Sequence, residues 1–315
     1  MNSSFFSHIN ADMNLIQNNQ HVVYQLNPSK GQGTASVHSV LPGVEVTIFN
    51  FQTSAFVPTV HLNMNILELN HCLEGRAECK MKDGCLQYVG EGDLFMNTMR
   101  NHSNCIEFPL EYYKGINVTI DLDKFTGQLS EHLPDMEIDV RGLVNRFFEN
   151  DECFFIQAKE NIQHIFKGMY SIPLEARDTY YRLKVLEILI YLYYFDTAKE
   201  QQNNFFVRQE VDIIKQIKKM MTEQFEQRFT IDELARQYHI SPTALKTTFK
   251  GVYGVSIGEY MKAYRIKKAA SMLLKTQESI GEIASAVGYK SQSKFGAAFK
   301  DIYKITPLKY RSKYN

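Results

Sequence analysis

Ser279-Ile-Gly-Glu-Ile-Ala-Ser-Ala-Val-Gly-Tyr-Lys-Ser-Gln-Ser-Lys-Phe-Gly-Ala-Ala-Phe-Lys300 is the stretch from which the chain is best read. Ser279 and Glu282 stand at capping-box spacing, where hydroxyl and carboxylate each satisfy a free backbone donor at a helix start. Ile283 is apolar and Ala284 is small, and a small side chain lets a second helix cross closely, as a helix-turn-helix requires. Gly288 falls where the turn needs positive φ, which glycine adopts without strain. Ser291 then opens a new helix. Phe295 and Phe299, four residues apart, share its inward face, so the residues between them face out.

The same pattern occurs earlier. Thr230-Ile-Asp-Glu-Leu-Ala235 matches Ser279–Ala284 at an offset of 49, with Thr230 and Glu233 as its capping box. After one extra residue Phe249-Lys250 matches Phe299-Lys300, Tyr253 matches Tyr303, Ser256 matches Thr306 and Tyr260 matches Tyr310. His239 occupies the turn position of this first copy, a permitted but costlier residue at positive φ. Ser241 with Pro242 in the first turn opens its second helix, and Leu245 and Phe249 point inward. The spacing predicts a long helix over 257–275 joining the copies. A duplicated helical unit of this kind is the strongest signal in the chain.

Charge follows the same boundary. The 315 residues carry 35 Lys+Arg and 35 Asp+Glu. Residues 206–315 hold 20 of the basic and 10 of the acidic ones, leaving 15 and 25 for residues 1–205. The neutral chain is therefore a basic block behind an acidic one, which points the basic block at a polyanion. With 44% apolar and 22% charged residues the composition is that of a globular protein rather than a disordered or fibrous one.

The C-terminal residues resemble the paired helix-turn-helix domain of the AraC/XylS family of bacterial transcription regulators. The match runs over Ile280, Ile283, Ala284, Val287, Gly288, Tyr289, Ser291, Ser293, Phe295, Phe299 and Lys300, and closes on Thr306-Pro307 and Tyr310-Arg311. The resemblance implies that the exposed early positions of each second helix read bases: Thr243, Lys246 and Thr247 in the first unit, Gln292, Ser293 and Lys294 in the second. Lys250, Lys262, Arg265, Lys267, Lys268, Lys300, Lys304 and Arg311 are candidate phosphate contacts. Gly296 and Ala297 depart from the fuller family pattern, in which a polar or basic side chain is frequent. Base readout is therefore expected to rest mainly on the first unit.

Residues from about 20 to 122 alternate apolar and polar, as in Val44-Glu-Val-Thr-Ile-Phe-Asn-Phe51, and read as strands. Asp83-Gly84 has the form of a two-residue hairpin turn, which sets Cys79 opposite Tyr88. Beyond about 124 the period becomes helical, and Arg177–Asp196 predicts a long helix apolar on more than one face, buried or shared with a second subunit. Thr197-Ala-Lys-Glu-Gln-Gln-Asn-Asn204 reads as a polar linker. The expected fold is α+β and multidomain. The family resemblance supplies a cupin-like β-barrel sensor over 1–130 and a helical dimerisation segment and linker over 131–204. The double helix-turn-helix domain follows over 205–315.

Phe49, Phe51, Leu62, Met64, Leu67, Phe95 and Tyr112 are the candidates for an effector pocket in such a barrel. His61, Glu68 and His71 are poorly placed for a metal, because His61 and His71 share a strand parity that Glu68 does not. No metal, cofactor or catalysis is expected. The five cysteines (Cys72, Cys79, Cys85, Cys105, Cys153) are an odd number and fit reduced thiols better than a disulfide framework. The N-terminal residues lack a signal-peptide pattern. The most apolar run, Val185–Phe195, is short for a membrane span and contains Glu187. The chain is thus expected in the cytoplasm, without a membrane partner. A transcription regulator, of the activator type, would bind a double-stranded DNA operator as a homodimer through helices within 141–196. Its further partners would be a small-molecule effector and RNA polymerase. The competing readings are a cupin-type metal-dependent enzyme, or a thiol redox sensor, fused to the DNA-binding domain.

Overall fold

The computed structural model describes residues 13–18, 22–56, 65–80, 86–98, 106–125, 138–148, 153–197 and 205–314. The chain divides into two compact units, Met1–Phe205 and Phe206–Asn315.

The first unit opens with β1 (Met13–Asn18), β2 (Val22–Leu26), β3 (Gln32–Leu41), β4 (Val44–Gln52) and β5 (Ala55–Phe56). It continues with β6 (Ile66–Gly75), β7 (Ala77–Lys80), β8 (Leu86–Val89), β9 (Leu94–Thr98), β10 (Ile106–Glu107), β11 (Tyr113–Asp121) and β12 (Phe154–Ile156). One eight-stranded sheet runs β1-β2-β3-β4-β11-β6-β9-β12, and a smaller one contains β8-β7-β10-β5 in that order. Among the described residues these are two open sheets, and the expected barrel is not closed. Gly75, at φ +90°, ends β6, and after one residue Ala77 starts β7 in the other sheet. That conformation favours glycine.

The central strands are buried on both faces, and their alternation sorts the side chains. Val44, Val46, Leu67, Leu69, Leu94, Met96, Ile116, Val118 and Ile120 share one core with the helices. Those helices are α1 (Val140–Phe147), α2 (Glu160–Lys167) and α3 (Arg177–Tyr193). They contribute Leu143, Ile162, Phe166, Tyr181, Val185, Ile188 and Leu192 to that core, so these helices and the sheet are packed together. Asp139 caps α1 by accepting from the Gly142 amide at 2.8 Å. Arg146 donates to the carbonyls of Leu192 (2.5 Å) and Tyr193 (2.8 Å) at the end of α3, where a cation suits the helix dipole.

His71 belongs to this helix-facing side. Its ring lies flat on Phe166, 4.2 Å between centroids, and Nδ1 is 3.2 Å from the Tyr170 hydroxyl. Burial lowers its pKa from 6.5 to about 4, so the imidazole is neutral there.

One register differs from expectation. Cys79 pairs with Gln87, and Glu78 with Tyr88. The one-residue difference from the Asp83-Gly84 reading puts the Tyr88 hydroxyl 2.5 Å from the Glu78 carboxylate as a buried donor. A slip of one residue would turn one strand's side chains to the other face. Residues 81–85 themselves lie outside the described residues, as does most of the 197–204 linker.

The second unit is helical: α4 (Arg208–Glu223), α5 (Ile231–Gln237), α6 (Pro242–Tyr253), α7 (Ile257–Lys275), α8 (Ile280–Ala286), α9 (Gln292–Tyr303) and α10 (Pro307–Tyr314). Both expected capping boxes are formed, Thr230 with Glu233 and Ser279 with Glu282, and α7 has a third, Ser256 with Glu259. The duplication extends to side-chain geometry. Phe249, Tyr253 and Tyr260 form a ring triangle with centroid distances of 4.7, 5.6 and 5.0 Å. Phe299, Tyr303 and Tyr310 repeat it at 4.8, 5.3 and 4.9 Å.

Each copy needs left-handed backbone at two equivalent points. In the first, His239 (φ 53°) makes the turn and Gly254 (φ 79°) ends the second helix. In the second copy Gly288 (φ 79°) makes the turn and Lys304 (φ 61°) ends the helix. A Cβ on Gly288 would also collide with the Glu226 carbonyl oxygen.

Gly288→Ala should destabilise the helical unit by about 2 kcal/mol, while His239→Gly should stabilise it by about 0.5–1 kcal/mol, read by denaturant unfolding. Between pH 6.5 and about 4 the unfolded chain protonates His71 while the folded one does not, so stability falls as pH falls through that window. His71→Phe should flatten that limb relative to the parent in pH-dependent thermal unfolding; an unchanged limb would show that His71 is not the group responsible.

Candidate nucleic-acid interface and ligand cavity

Helices α5 and α6 form the first helix-turn-helix and α8 and α9 the second. The turn is set by the same backbone bond in each: Ile240 N–H to Ala235 C=O at 3.0 Å, and Tyr289 N–H to Ala284 C=O at 2.9 Å. Ala235 and Ala284 are buried at the crossing. Leu245, Thr248, Phe249 and Val252 anchor α6, and Phe295 and Phe299 anchor α9. Ser241 and Ser291 cap the two helices through the Ala244 and Lys294 amides.

Anchoring that face leaves the other outside. Thr243, Lys246 and Thr247 are exposed on α6, and Gln292, Ser293 and Lys294 are exposed on α9, all within the first two turns. Ala297 is exposed and Gly296 half-buried with open space where a Cβ would lie. The surface of α9 is thus smooth beyond Lys294, and nothing in the packing demands glycine there.

The basic candidates divide by what they already hold. Lys250, Lys267, Lys268, Lys300 and Lys304 are exposed. Lys262 is hydrogen-bonded to Asp301 at 2.6 Å, which raises its pKa, and the Lys304 ammonium donates to the Asp301 carbonyl at 2.6 Å. Arg265 donates to the Phe225 (2.6 Å) and Gln227 (2.5 Å) carbonyls ahead of α5. Arg311 donates to the Leu273 (3.2 Å) and Glu278 (2.6 Å) carbonyls ahead of α8. Both guanidinium groups therefore brace the approach to a helix-turn-helix, a role sequence spacing alone did not reveal.

The first unit contains a cavity between its sheets, with an empty volume of about 920 Å³ when its open mouth is included. Of the pocket candidates, Phe49, Phe51 and Phe95 line it. Leu67 lies in the core beneath the helices, and Tyr112 is largely exposed while its neighbour Tyr113 lines the cavity. Leu62 and Met64 lie outside the described residues. The polar lining was missed by sequence reading: Glu45, Thr47, Glu68, Asn70, Asn97, Asn117 and Thr119.

Among the described residues no group of three or more His, Cys, Asp and Glu could hold a metal. His71 and Glu68 face opposite sides of β6, one against Phe166 and the other into the cavity; His61 is outside the described residues. Cys72 and Cys79 are buried and reduced, and burial pushes both thiols up, Cys79 to about 12. Cys153 donates to the Gln87 side chain at 3.1 Å, and Cys85 and Cys105 are outside the described residues. No helix among the described residues is long and apolar enough to cross a membrane.

Comparison with known proteins places the helical unit. A family model described as a helix-turn-helix domain matches residues 234–313. The uncharacterized HTH-type transcriptional regulator YtdP of Bacillus subtilis is 27% identical over 174 residues, 51% of this chain; the match spans only 22% of YtdP. The transposon Tn10 TetD protein of Escherichia coli is 33% identical over 99 residues, 31% of this chain and 72% of TetD. Among solved structures, the C-terminal domain of AraT, a response regulator from Geobacillus stearothermophilus, is 32% identical. That match covers 32% of this chain and 84% of the AraT domain, with a TM-score of 0.31. With its duplicated, capped helix-turn-helix, the family model and the TetD match, the chain belongs to the AraC/XylS family of helix-turn-helix transcription regulators.

Proposed function

We propose that this protein binds double-stranded DNA with α6 and α9 in successive major grooves, as a homodimer controlled by a small molecule in the N-terminal cavity. The observation that carries the DNA reading is the pair of capped helices presenting Thr243, Lys246, Thr247 and Gln292, Ser293, Lys294 outward. Rigidly joined units suit grooves about one turn apart on one DNA face, roughly 34 Å. Lys246 and the α6 threonines can donate to base edges, whereas Gly296 and Ala297 offer no side-chain donor, so α6 supplies most of the sequence choice. The exposed lysines supply phosphate contacts, with Lys262, Arg265 and Arg311 adding whatever donors their internal bonds leave.

Support for the dimer comes from α3. Leu183 is 60% and Tyr194 74% exposed, and Leu186 and Ile190 between them are half-buried, a stripe too apolar for a solvated face. The cavity supports effector control, and the relatives' names support regulation over catalysis. RNA polymerase would be the further partner of an activator, in the cytoplasm.

Lys246→Ala should weaken binding to sites selected from a random duplex pool by about 1–3 kcal/mol and relax the preference at one position. An equal loss on all sequences would make Lys246 a phosphate contact only. Affinity should fall steeply and log-linearly with salt. In native protein, Cys72 and Cys79 should label slowly with a disulfide reagent, mapped by peptide mass, and only on unfolding at the rate of free thiols. Fast labelling with altered DNA affinity would favour the redox sensor.

A further inference from the structure

We propose that residues 225–228, held by Arg265 and Arg228 against the Gly288 turn, form a second strut between the two helix-turn-helix copies and fix the spacing of the two half-sites the protein accepts. The inference rests on the reading that α6 and α9 enter two grooves of one duplex, and names the positioning residues that set the distance between them.

Helix α7 is the connection visible in the sequence, but the segment between α4 and α5 makes another. It precedes the first copy, yet Phe225 packs against the core of the second, the cluster that holds Ile283, Phe295 and Phe299. The Phe225 ring is 6.1 Å from that of Tyr264 on α7. The Glu226 carbonyl oxygen lies over Gly288, in the space a Cβ there would occupy. The Phe225 and Gln227 carbonyls accept from the Arg265 guanidinium at 2.6 and 2.5 Å. Arg228 reaches across to the second copy, donating from Nε and Nη2 to the Gly288 carbonyl, both at 3.4 Å. Four consecutive residues are thus engaged by α7 or by the second copy, and Thr230, two residues on, caps α5.

The two turns separate what a turn needs from what this junction needs. His239 and Gly288 are both left-handed, and His239 is exposed, so the turn itself accepts a side chain. Gly288 has the Glu226 backbone against it, and a side chain would push the segment away. In the second copy the approach to α8 closes instead on its own α10, through Arg311 and the Leu273 and Glu278 carbonyls. The contact between copies is therefore one-sided, a departure from the duplication rather than a product of it. Arg265 suits the task because its planar fork bonds two carbonyls at once, which a lysine cannot reproduce. Joined by α7 alone, the copies could follow half-sites at several separations as that helix bends or twists. One base pair more or fewer moves a half-site roughly 3.4 Å along the duplex and about 35° around it. A braced pair rejects a displacement that a hinged pair would follow.

Duplexes of about 20 base pairs, long enough for one protomer's two half-sites, test this on the full-length chain. They carry a sequence selected by the parent protein, at its own spacing or with a base pair or two added or removed between the half-sites. The parent should lose about tenfold in affinity for each base pair of error. Arg228→Ala and Arg265→Lys should each keep the affinity at the selected spacing within about threefold, and keep the same preferred bases, while flattening that penalty to about threefold. Arg228 is exposed, so its replacement keeps the test open should thermal unfolding show that Arg265→Lys does not fold. A spacing profile as steep as the parent's in either folded variant would overturn the strut and leave the two-groove reading standing. A loss equal at every spacing would also overturn it, making Arg228 a phosphate contact. A parent indifferent to spacing would overturn the two-groove reading, and the strut with it.

Discussion

A strand buried on both faces must serve two environments with one backbone, and the N-terminal unit is organised by that constraint. Along β4, β6, β9 and β11 every second side chain is a helix contact and the alternate one belongs to the cavity. Val46, Leu69, Met96 and Val118 have no polar atom to satisfy, so α2 and α3 can close on them without cost. Asn70, Asn97, Asn117 and Thr119 on the other parity are tolerable only because each is hydrogen-bonded. A one-residue slip in any of these strands would put carboxamides under the helices and valines into the polar chain. Register is thereby held by both faces at once.

The helical unit solves a different problem twice. Two helices crossing at a short turn need small residues at the crossing, a left-handed residue in the turn and a cap at each start. Both copies meet these needs, but glycine is distributed differently between them. The first spends glycine on the end of α6 and places His239 in the turn; the second spends it on the turn and places Lys304 at the end of α9. Gly288 is the position where a side chain would also strike another backbone, the Glu226 carbonyl. Glycine there answers both strain and space, whereas His239 is exposed and answers to strain alone.

The two helix-turn-helix copies and the helix joining them were legible in the sequence because their signals are local, whereas α4 and α10 were not read from it. A capping box spans four residues and an inward pair spans five, so the starts of α5, α6, α8 and α9 and the extent of α7 could be read directly. Arg265 and Arg311 were less legible because their carbonyl partners are distant in sequence and main-chain atoms carry no sequence signature. The N-terminal unit gave up its strands but not its closure or its pocket. Choosing apolar residues as the pocket lining selected Leu67, whose parity belongs to the helices, and passed over Glu68 and Asn70 beside it. Alternation says that two faces differ; only tertiary packing says which one is covered by helices. The Cys79 register shows the same limit, since turn composition predicted a ladder one residue away from the one that buries Glu78 against Tyr88.

That two-sided packing also bounds how a ligand could act at a distance. An occupant can shift an equilibrium only by binding one arrangement better than another. In this unit its contacts would fall on Thr47, Asn70 and Asn117, whose chain neighbours Val46, Leu69 and Val118 share a core with α3. A strand that moves to close on a ligand therefore carries helix contacts with it, one residue away along the same backbone. Helix α3 is tied to the sheet at two further points, Asp178 to His38 at 2.9 Å and Arg182 to the Val40 carbonyl at 2.9 Å. It also carries the exposed Leu183–Tyr194 stripe on its other side. The polar row and the apolar stripe are thus separated by one strand and one helix. Coupling between cavity and dimer would need no long relay, only a small change in how α3 sits on the sheet, and a close-packed core passes such a displacement on rather than absorbing it.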